Sequence, residues 1–350
     1  MRHQWAVIGF GGMGSWHAKN IAEHIPEIQV AGAYDIRPEV YAGLLPGMKG
    51  YSTLQELLDD KDVDIVTIAT PNNFHKELAI ACLTAGKNVV CEKPVAMNAA
   101  ELEEMIAAAR AAGRLFSVHQ NRRWDRDYLT VRAAVDGGDL GKLYAIESRV
   151  QGSRRTMHGW RGHKVNGGGM IYDWGIHLFD QLLDWIKSPV VSVNCHAFSV
   201  FTQEVDDNFK ATLRFENGVS ALVEVATNCF INLPRWHVCC EEGTLEVRDW
   251  SCEGKIVKLS TDAEMAWDDE IVYTDAGPTR TMAPRPKHTL QELPLPVVRG
   301  DWADYYHNIV NVLDSGAELI VRPEQSLRVM RLVDAMFKSA QSGQSVACRI

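Results

Sequence analysis

The chain has 350 residues, of which 46% are hydrophobic and 23% charged, and a formal net charge of −9. That length suffices for two ordinary cores, and the acidic balance, with no basic run or basic half, argues against nucleic acid or an anionic membrane as a partner. No apolar run reaches the roughly 18 residues of a membrane span. "QWAVIGF" reads as a folded strand rather than a leader, and the eight cysteines lack C-x-x-C spacing, so a reduced, cytoplasmic protein is expected.

Up to about residue 121, short β-rich runs alternate with helical patterns. The strands are "WAVIGF", "IQVAGAY", "DIVTIAT", "KNVVCE" and "RLFSVHQ"; the helices cover about 14–25, 73–85 and 98–112. In the last of these, Asn98 is placed as N-cap and Gly113 as the stop. Alternation of this kind predicts a doubly wound parallel sheet covered on both faces, an α/β Rossmann domain over residues 1–121. From about 141 the texture changes to alternating strands, such as "NFKATLRFENG" and "VSALVEVATN", with turn dipeptides such as Asn217-Gly218. A mostly antiparallel sheet is expected there, in a second domain over 122–350. The proline-rich segment 275–299 reads as a long irregular arm, and about 303–342 returns to helix.

The first strand runs into "GFGGMG", placing Gly9, Phe10, Gly11, Gly12 and Met13 in a G-x-G-x-x-G turn completed by Gly14. Gly9 serves the tight turn, Gly11 the approach of a pyrophosphate and Gly14 close helix packing, while the helix start offers N–H groups to the phosphates. Asp35 ends the second strand 21 residues after Gly14, placed to accept from a ribose 2′-hydroxyl. NAD is therefore the expected cofactor. Arg37, two residues on, is able to pair with a 2′-phosphate, so NADP remains open. The fourth strand ends in "CEKP", putting Glu92 and Lys93 at the carboxyl edge of the sheet, where Lys93 is able to donate to a reacting hydroxyl. Asn121 is expected to reach the cofactor, and Arg123 to line the crevice between the domains.

Residues 167–185, "GGGMIYDWGIHLFDQLLDW", are apolar nearly all round yet carry Asp173, His177, Asp180 and Asp184. At about 100° per residue these fall near 0°, 40°, −20° and 20°, one narrow stripe that must face a cavity, an ion or a ligand. Three of them have i, i+4, i+7 spacing suited to a metal, but no second ligand cluster is evident and Lys93 would repel a cation, so no metal is assigned. The preceding loop, "RRTMHGWRGHKVNGGG", offers Trp160, Arg161 and Asn166, a ring face with polar groups that suits a neutral sugar or polyol.

Taken together, "VIGFGGMG" at 7–14, "ATPNNFH" at 69–75, "CEKPVAMN" at 91–98, "HQNRRW" at 119–124, "GWRG" at 159–162 and "GGGMIYDWGIHLFDQL" at 167–182 resemble the Gfo/Idh/MocA oxidoreductase family. The resemblance implies a second, α+β domain with a large open sheet, and a homodimer or homotetramer assembled through it. The final helix, about 323–342, also matches and is expected to pack back on the first domain. Thr70, Pro71, Asn73 and His75 are implied as cofactor contacts, and Lys93, Asp173 and His177 as the catalytic group. On that reading His177 is the general acid or base, Asp173 orients it or holds a neighbouring sugar hydroxyl, Lys93 polarises the same oxygen, and Asp180 and Asp184 are structural hydrogen-bonding groups, with Asp180 also a candidate partner of His177. The implied reaction is hydride transfer between nicotinamide and a ring hydroxyl or ketone of a neutral sugar, glycoside or cyclitol. A redox-neutral NAD-dependent glycosidase and a non-catalytic NAD-binding regulator are the alternatives.

Overall fold

The computed structural model describes residues 2–261, 271–279 and 285–350. Six parallel strands, β1 (His3–Ile8), β2 (Ile28–Tyr34), β3 (Lys49–Gly50), β4 (Ile65–Ile68), β5 (Asn88–Cys91) and β6 (Phe116–Val118), form one sheet in the order β3-β2-β1-β4-β5-β6. Helices α1 (Gly12–His24), α2 (Leu54–Asp59), α3 (His75–Thr84) and α4 (Ala99–Ala112) connect them. Strand β4 is buried along its whole length because both faces of the sheet are covered, and its one polar side chain, Thr67, accepts from the Trp5 indole N–H at 2.6 Å. Asn98 caps α4 by accepting from the Glu101 N–H at 2.9 Å, and Gly113 ends it in the left-handed conformation at φ +59°. The strand order reverses between β1 and β4, and such a point opens a crevice at the carboxyl ends of the strands.

After α5 (Arg126–Asp136), a nine-stranded sheet is built from β7 (Leu143–Gln151), β8 (Val190–Phe198), β9 (Asn208–Phe215), β10 (Ser220–Ala226), β11 (Trp236–Cys240), β12 (Gly243–Val247), β13 (Gly254–Leu259), β16 (Leu290–Leu293) and β17 (Val346–Ala347). All its neighbours are antiparallel except β7 and β10. In β9 the alternation is strict: Phe209, Ala211, Leu213 and Phe215 are buried while Lys210, Thr212 and Arg214 face outward. The arm is more ordered than its prolines suggest. Strands β14 (Val272–Thr274) and β15 (Gly277–Thr279) pair with each other, and β16 extends the large sheet beside β13; Pro294 and Pro296 follow it. Residues 280–284 of the arm lie outside the described residues.

The stripe-bearing segment is not one regular helix. A π turn at Ile171–Gly175 precedes α6 (Ile176–Trp185). The widened turn breaks the angular phase, so Asp173 no longer shares one stripe with Asp180 and Asp184. Asp206 anchors this start: its Oδ2 accepts from the Ile171 N–H at 2.8 Å, and its backbone oxygen accepts from the Met170 N–H at 2.9 Å. Burial pushes the Asp206 carboxyl up to about 6. Gly169 has φ +103°, and a Cβ there would lie 2.4 Å from Asp206 Oδ1, so only glycine fits.

The C-terminal helical region is two helices, α7 (Ala303–Ser315) and α8 (Pro323–Ser342), separated at Gly316, which has φ +68°. Helix α8 reaches both sheets. Asp334 accepts from the Ala99 N–H at 3.1 Å, and Val321 O, just before the helix, accepts from Ser117 Oγ at 2.9 Å. On the other side Ser339 Oγ accepts from the Cys195 N–H at 2.9 Å, and Arg328 donates to the carbonyls of Leu183, Ile186 and Ser188. Among the described residues no helix is long and apolar enough to cross a membrane.

Replacing Asp206 by alanine strands the buried Ile171 N–H and frays the entry to α6. The expected loss is about 1–3 kcal/mol in denaturant unfolding at pH 7.5; an unchanged midpoint would show that Asp206 does not anchor this turn.

Candidate functional site

The crevice is a cavity of about 820 Å³. The parallel sheet contributes Gly9, Gly11, Gly12, Met13, Asp35, Arg37, Thr70, Pro71, Glu92 and Lys93 to its wall. The second half contributes Trp160, Arg161, Gly167, Gly168, Gly169 and Asp173. Residues distant in the chain thus meet across one opening.

The glycine loop fits a dinucleotide by two opposite requirements. At Gly14 a Cβ would sit 1.9 Å from Gly9 O, so the helix packs on the loop without room for a side chain. At Gly12 a Cβ meets nothing within 4 Å, and at Gly11 only Arg37 Nη2 at 3.6 Å, which leaves the approach open for a pyrophosphate. Phe10 is buried rather than lining the wall, and its N–H donates to Asp35 Oδ2 at 2.8 Å. Asp35 also accepts from the Arg37 N–H at 2.9 Å, from Nε at 3.1 Å and from Nη2 at 3.2 Å. Burial alone would raise the Asp35 carboxyl, but Arg37 and the two backbone donors hold it below the usual carboxylate value. The Asp35 carboxylate therefore stays ionised, with Arg37 clasped to it.

Lys93 leaves the end of β5 and reaches across the crevice. Its Nζ donates to Asp173 Oδ1 at 3.2 Å and to Asp173 O at 3.0 Å. Arg161 Nε donates to the same Oδ1 at 3.4 Å, and its guanidinium lies 4.6 Å from the centre of the Trp160 ring. Burial would raise the Asp173 carboxyl, yet Lys93 and Arg161 outweigh it and hold the group below its ordinary value. Asp173 thus binds Lys93 and Arg161; of the two roles expected for it, orienting His177 has no hydrogen bond behind it, while holding a substrate hydroxyl stays compatible with its place on the wall.

His177 lies one turn on, 5% exposed, off the cavity wall, with Nδ1 buried and without a hydrogen-bond partner. Burial, then the Lys93 and Arg122 cations, hold its imidazolium pKa well below the usual value, so the ring is neutral at pH 7. An orphaned buried nitrogen is rare enough to mark a site with work to do.

Other expected site residues stand elsewhere. Arg123 is buried against the second half of the stripe, donating to both oxygens of Asp180 at 2.7 and 2.8 Å and lying 3.4 Å from Asp184. Asp180 is therefore bound to Arg123 rather than to His177, and this buried pair braces α6. Asp184 also accepts from Tyr128 Oη at 2.8 Å. His75 is fully enclosed, its two ring nitrogens each 2.9 Å from a carbonyl, Pro94 O and Thr70 O, and the single N–H of the neutral ring donates to one of them; it shapes the wall from behind. Asn73, Asn121 and Asn166 are also off the wall. The three would-be metal ligands of the stripe do not converge: Asp173 and Asp180 turn to different cations. Sequence reasoning missed His17, His119 and Tyr306, which surround Glu92; "HQN" after β6 gave a faint signal for His119 alone.

Comparison with known proteins agrees with this geometry. The model of the Gfo/Idh/MocA oxidoreductase family, NAD-binding Rossmann fold, matches residues 3–120, and that of the family's C-terminal domain matches residues 128–246. The crystal structure of an NAD-binding protein from Listeria innocua is 40% identical and superimposes with a TM-score of 0.94, covering 99% of both chains. The scyllo-inositol 2-dehydrogenase (NADP(+)) IolW of Bacillus subtilis is 26% identical, over 97% of this chain and 94% of that one. The WlbA dehydrogenase of Bordetella pertussis, solved with NADH and UDP-GlcNAcA, is 24% identical with a TM-score of 0.79 over the full length of both chains and shares the fold. With an open glycine cradle, an ionised Asp35 and these matches over both halves, the chain belongs to the Gfo/Idh/MocA family of NAD(P)-dependent oxidoreductases.

Proposed function

We propose that the chain oxidises a ring hydroxyl, or reduces the matching ketone, of a neutral sugar, glycoside or cyclitol. The observation that carries this reading is the neutral His177, its Nδ1 without a hydrogen-bond partner, buried just off the wall of the crevice and within electrostatic range of Lys93. NAD bound along the glycine loop supplies the hydride acceptor, or as NADH the donor. In oxidation, His177 takes the hydroxyl proton on a ring nitrogen while the Lys93 ammonium donates a hydrogen bond to the same oxygen as charge develops on it. In reduction both roles reverse, and His177 returns the proton. Asp173 holds Lys93 and Arg161 in register by accepting from both.

Trp160 and Arg161 supply a ring face and a planar donor on the far wall, which supports a polyhydroxylated ring as substrate. The two cations there share one carboxylate, which favours a neutral rather than a phosphorylated substrate. The inositol dehydrogenase among the relatives supports the same class. The exposed side of Arg37 gives NADP a foothold, although Asp35 favours NAD.

Purified protein mixed with NAD and a panel of free sugars, inositols and simple glycosides is expected to produce NADH absorbance with one ring-polyol class. Cleavage of a glycoside with no net NADH would instead establish the redox-neutral glycosidase, and NAD binding with neither reaction would leave a regulator. His177→Ala is expected to cut turnover by about 10²–10⁴-fold with NAD affinity, measured by titration, unchanged; near wild-type turnover would overturn the role given to His177. Because its pKa is depressed, His177 stays a neutral base below the ordinary histidine value of about 6.5. Oxidation kcat followed from pH 5.5 to 8 is therefore expected to lack an acid limb centred near 6.5, and such a limb would contradict a dry, neutral His177.

A further inference from the structure

Behind Lys93 lies a group of four side chains that the reaction above does not use. Glu92 Oε1 accepts from His17 Nε2 at 2.8 Å and from His119 Nδ1 at 2.9 Å. Tyr306 Oη closes the circuit, 2.7 Å from His17 Nδ1 and 3.3 Å from His119 Nε2. His17, His119 and Tyr306 are at most 1% exposed and Glu92 is 5% exposed. The four come from α1, the end of β5, the turn after β6, and α7. Trp16 and Trp302 pack edge-on against His17 and Tyr306, while Glu92 also meets the wall of the crevice.

These groups have the chemistry of metal ligands, but the spacing opposes it. Two ligands on a tetrahedral ion with bonds of about 2.0–2.1 Å lie about 3.3 Å apart. Here the carboxylate oxygen is at hydrogen-bond distance from both nitrogens, and the opposite nitrogen of each ring is already engaged by Tyr306. The circuit is a hydrogen-bonded one, and its protons can be counted.

Four hydrogen bonds close it. With Glu92 ionised and both imidazoles neutral, the protons number three: one on each imidazole, both directed at Glu92, and one on the phenol. Tyr306 then donates to one histidine and presents a lone pair to the bare nitrogen of the other. One added proton converts that clash into a fourth bond and also cancels the carboxylate's charge in a dry site. A second added proton has no acceptor within the circuit.

We propose that His17, Glu92, His119 and Tyr306 form a buried ring that holds one extra proton at neutral pH, shared between its two imidazoles. A neutral, fully bonded pivot thereby fixes Glu92, whose Oε2 accepts from the Lys93 N–H at 3.0 Å, and so sets the backbone from which Lys93 reaches the crevice. Burial would raise the Glu92 carboxyl, but His119 and His17 hold it well below its usual value. Burial and then Glu92 keep the Tyr306 phenol protonated, and burial and then His17 lower His119. The other ionisable groups coupled to the ring are Cys91 on β5, Lys93 just after it, His75 on α3, Tyr305 on α7 and His177 on α6. Tyr306, His17 and His119 are positioning residues. Their effect on turnover rests on the roles proposed for Lys93 and His177, whereas the proton count does not.

The test is therefore spectroscopic, on the whole cofactor-free protein with ring-15N-labelled histidine at pH 7.5. One imidazolium is expected, both ring nitrogens protonated and slow to exchange, assigned by its loss in His17→Gln and His119→Gln. Two neutral rings, each with one bare nitrogen, would overturn the proposal in the wild-type protein alone. In Tyr306→Phe the two remaining bonds need only the protons of neutral rings, so the imidazolium signal is expected to vanish at pH 7.5. Its persistence there would equally refute the count. Failure of the sugar-oxidation reading would leave these spectra unchanged, so the two ideas fall separately.

Discussion

The ion pair between Lys93 and Asp173, 3.2 Å long, joins the carboxyl edge of the parallel sheet to the π turn before α6. Both side chains are largely shielded from water, so the attraction is screened less than on a surface, and removing either partner leaves the other charge poorly solvated. Each end is held independently. Glu92 accepts from the Lys93 backbone on one side, and Asp206 pins the turn that carries Asp173 on the other. The pair is thus a fixed bridge between two separately built edges, and cofactor and substrate walls take their spacing from it.

Much of this was legible before any coordinates. The strand "IQVAGAY" matches β2, and Asn98 and Gly113 bound α4, because burial periodicity and capping are local. The glycine loop, Asp35 and Lys93 were legible for a related reason: a known strand order places strand ends at one crevice. The stripe misled because its arithmetic assumed a uniform helix. One widened turn at Ile171–Gly175 sends Asp173 to Lys93 and leaves Asp180 and Asp184 to Arg123, and residue spacing alone gives no warning of a π turn. The ring around Glu92 was illegible for a different reason. Its partners are separated by up to 289 residues, and a tyrosine in an amphipathic helix looks like any other core aromatic.

Three buried histidines illustrate how environment divides one residue type among three tasks. His75 faces a carbonyl at each nitrogen, donates to one of them and acts as a strut; His119 has an ionisable partner at each nitrogen and belongs to a hydrogen-bonded group. His177 is left with an orphaned nitrogen. Burial lowers the pKa of all three, so pKa alone does not distinguish them. What separates them is whether each nitrogen already has somewhere to put its hydrogen bond.

Helix α8 has a mechanical consequence. A rod of 20 residues bonded to Ala99 on one side and, through Arg328 and Ser339, to the segment after α6 and to β8 on the other does not act as a hinge. Swinging the two halves apart would break these bonds together and strip the contact of α8 with α4 and α6, so the cleft keeps its width. The loop at 152–168, which meets the crevice through Trp160 and Arg161, is itself held, by Arg161 on Asp173, by Asn72 on the carbonyl of Gly167 and by His163 on Glu204. Such a molecule behaves less like jaws than like a fixed vice.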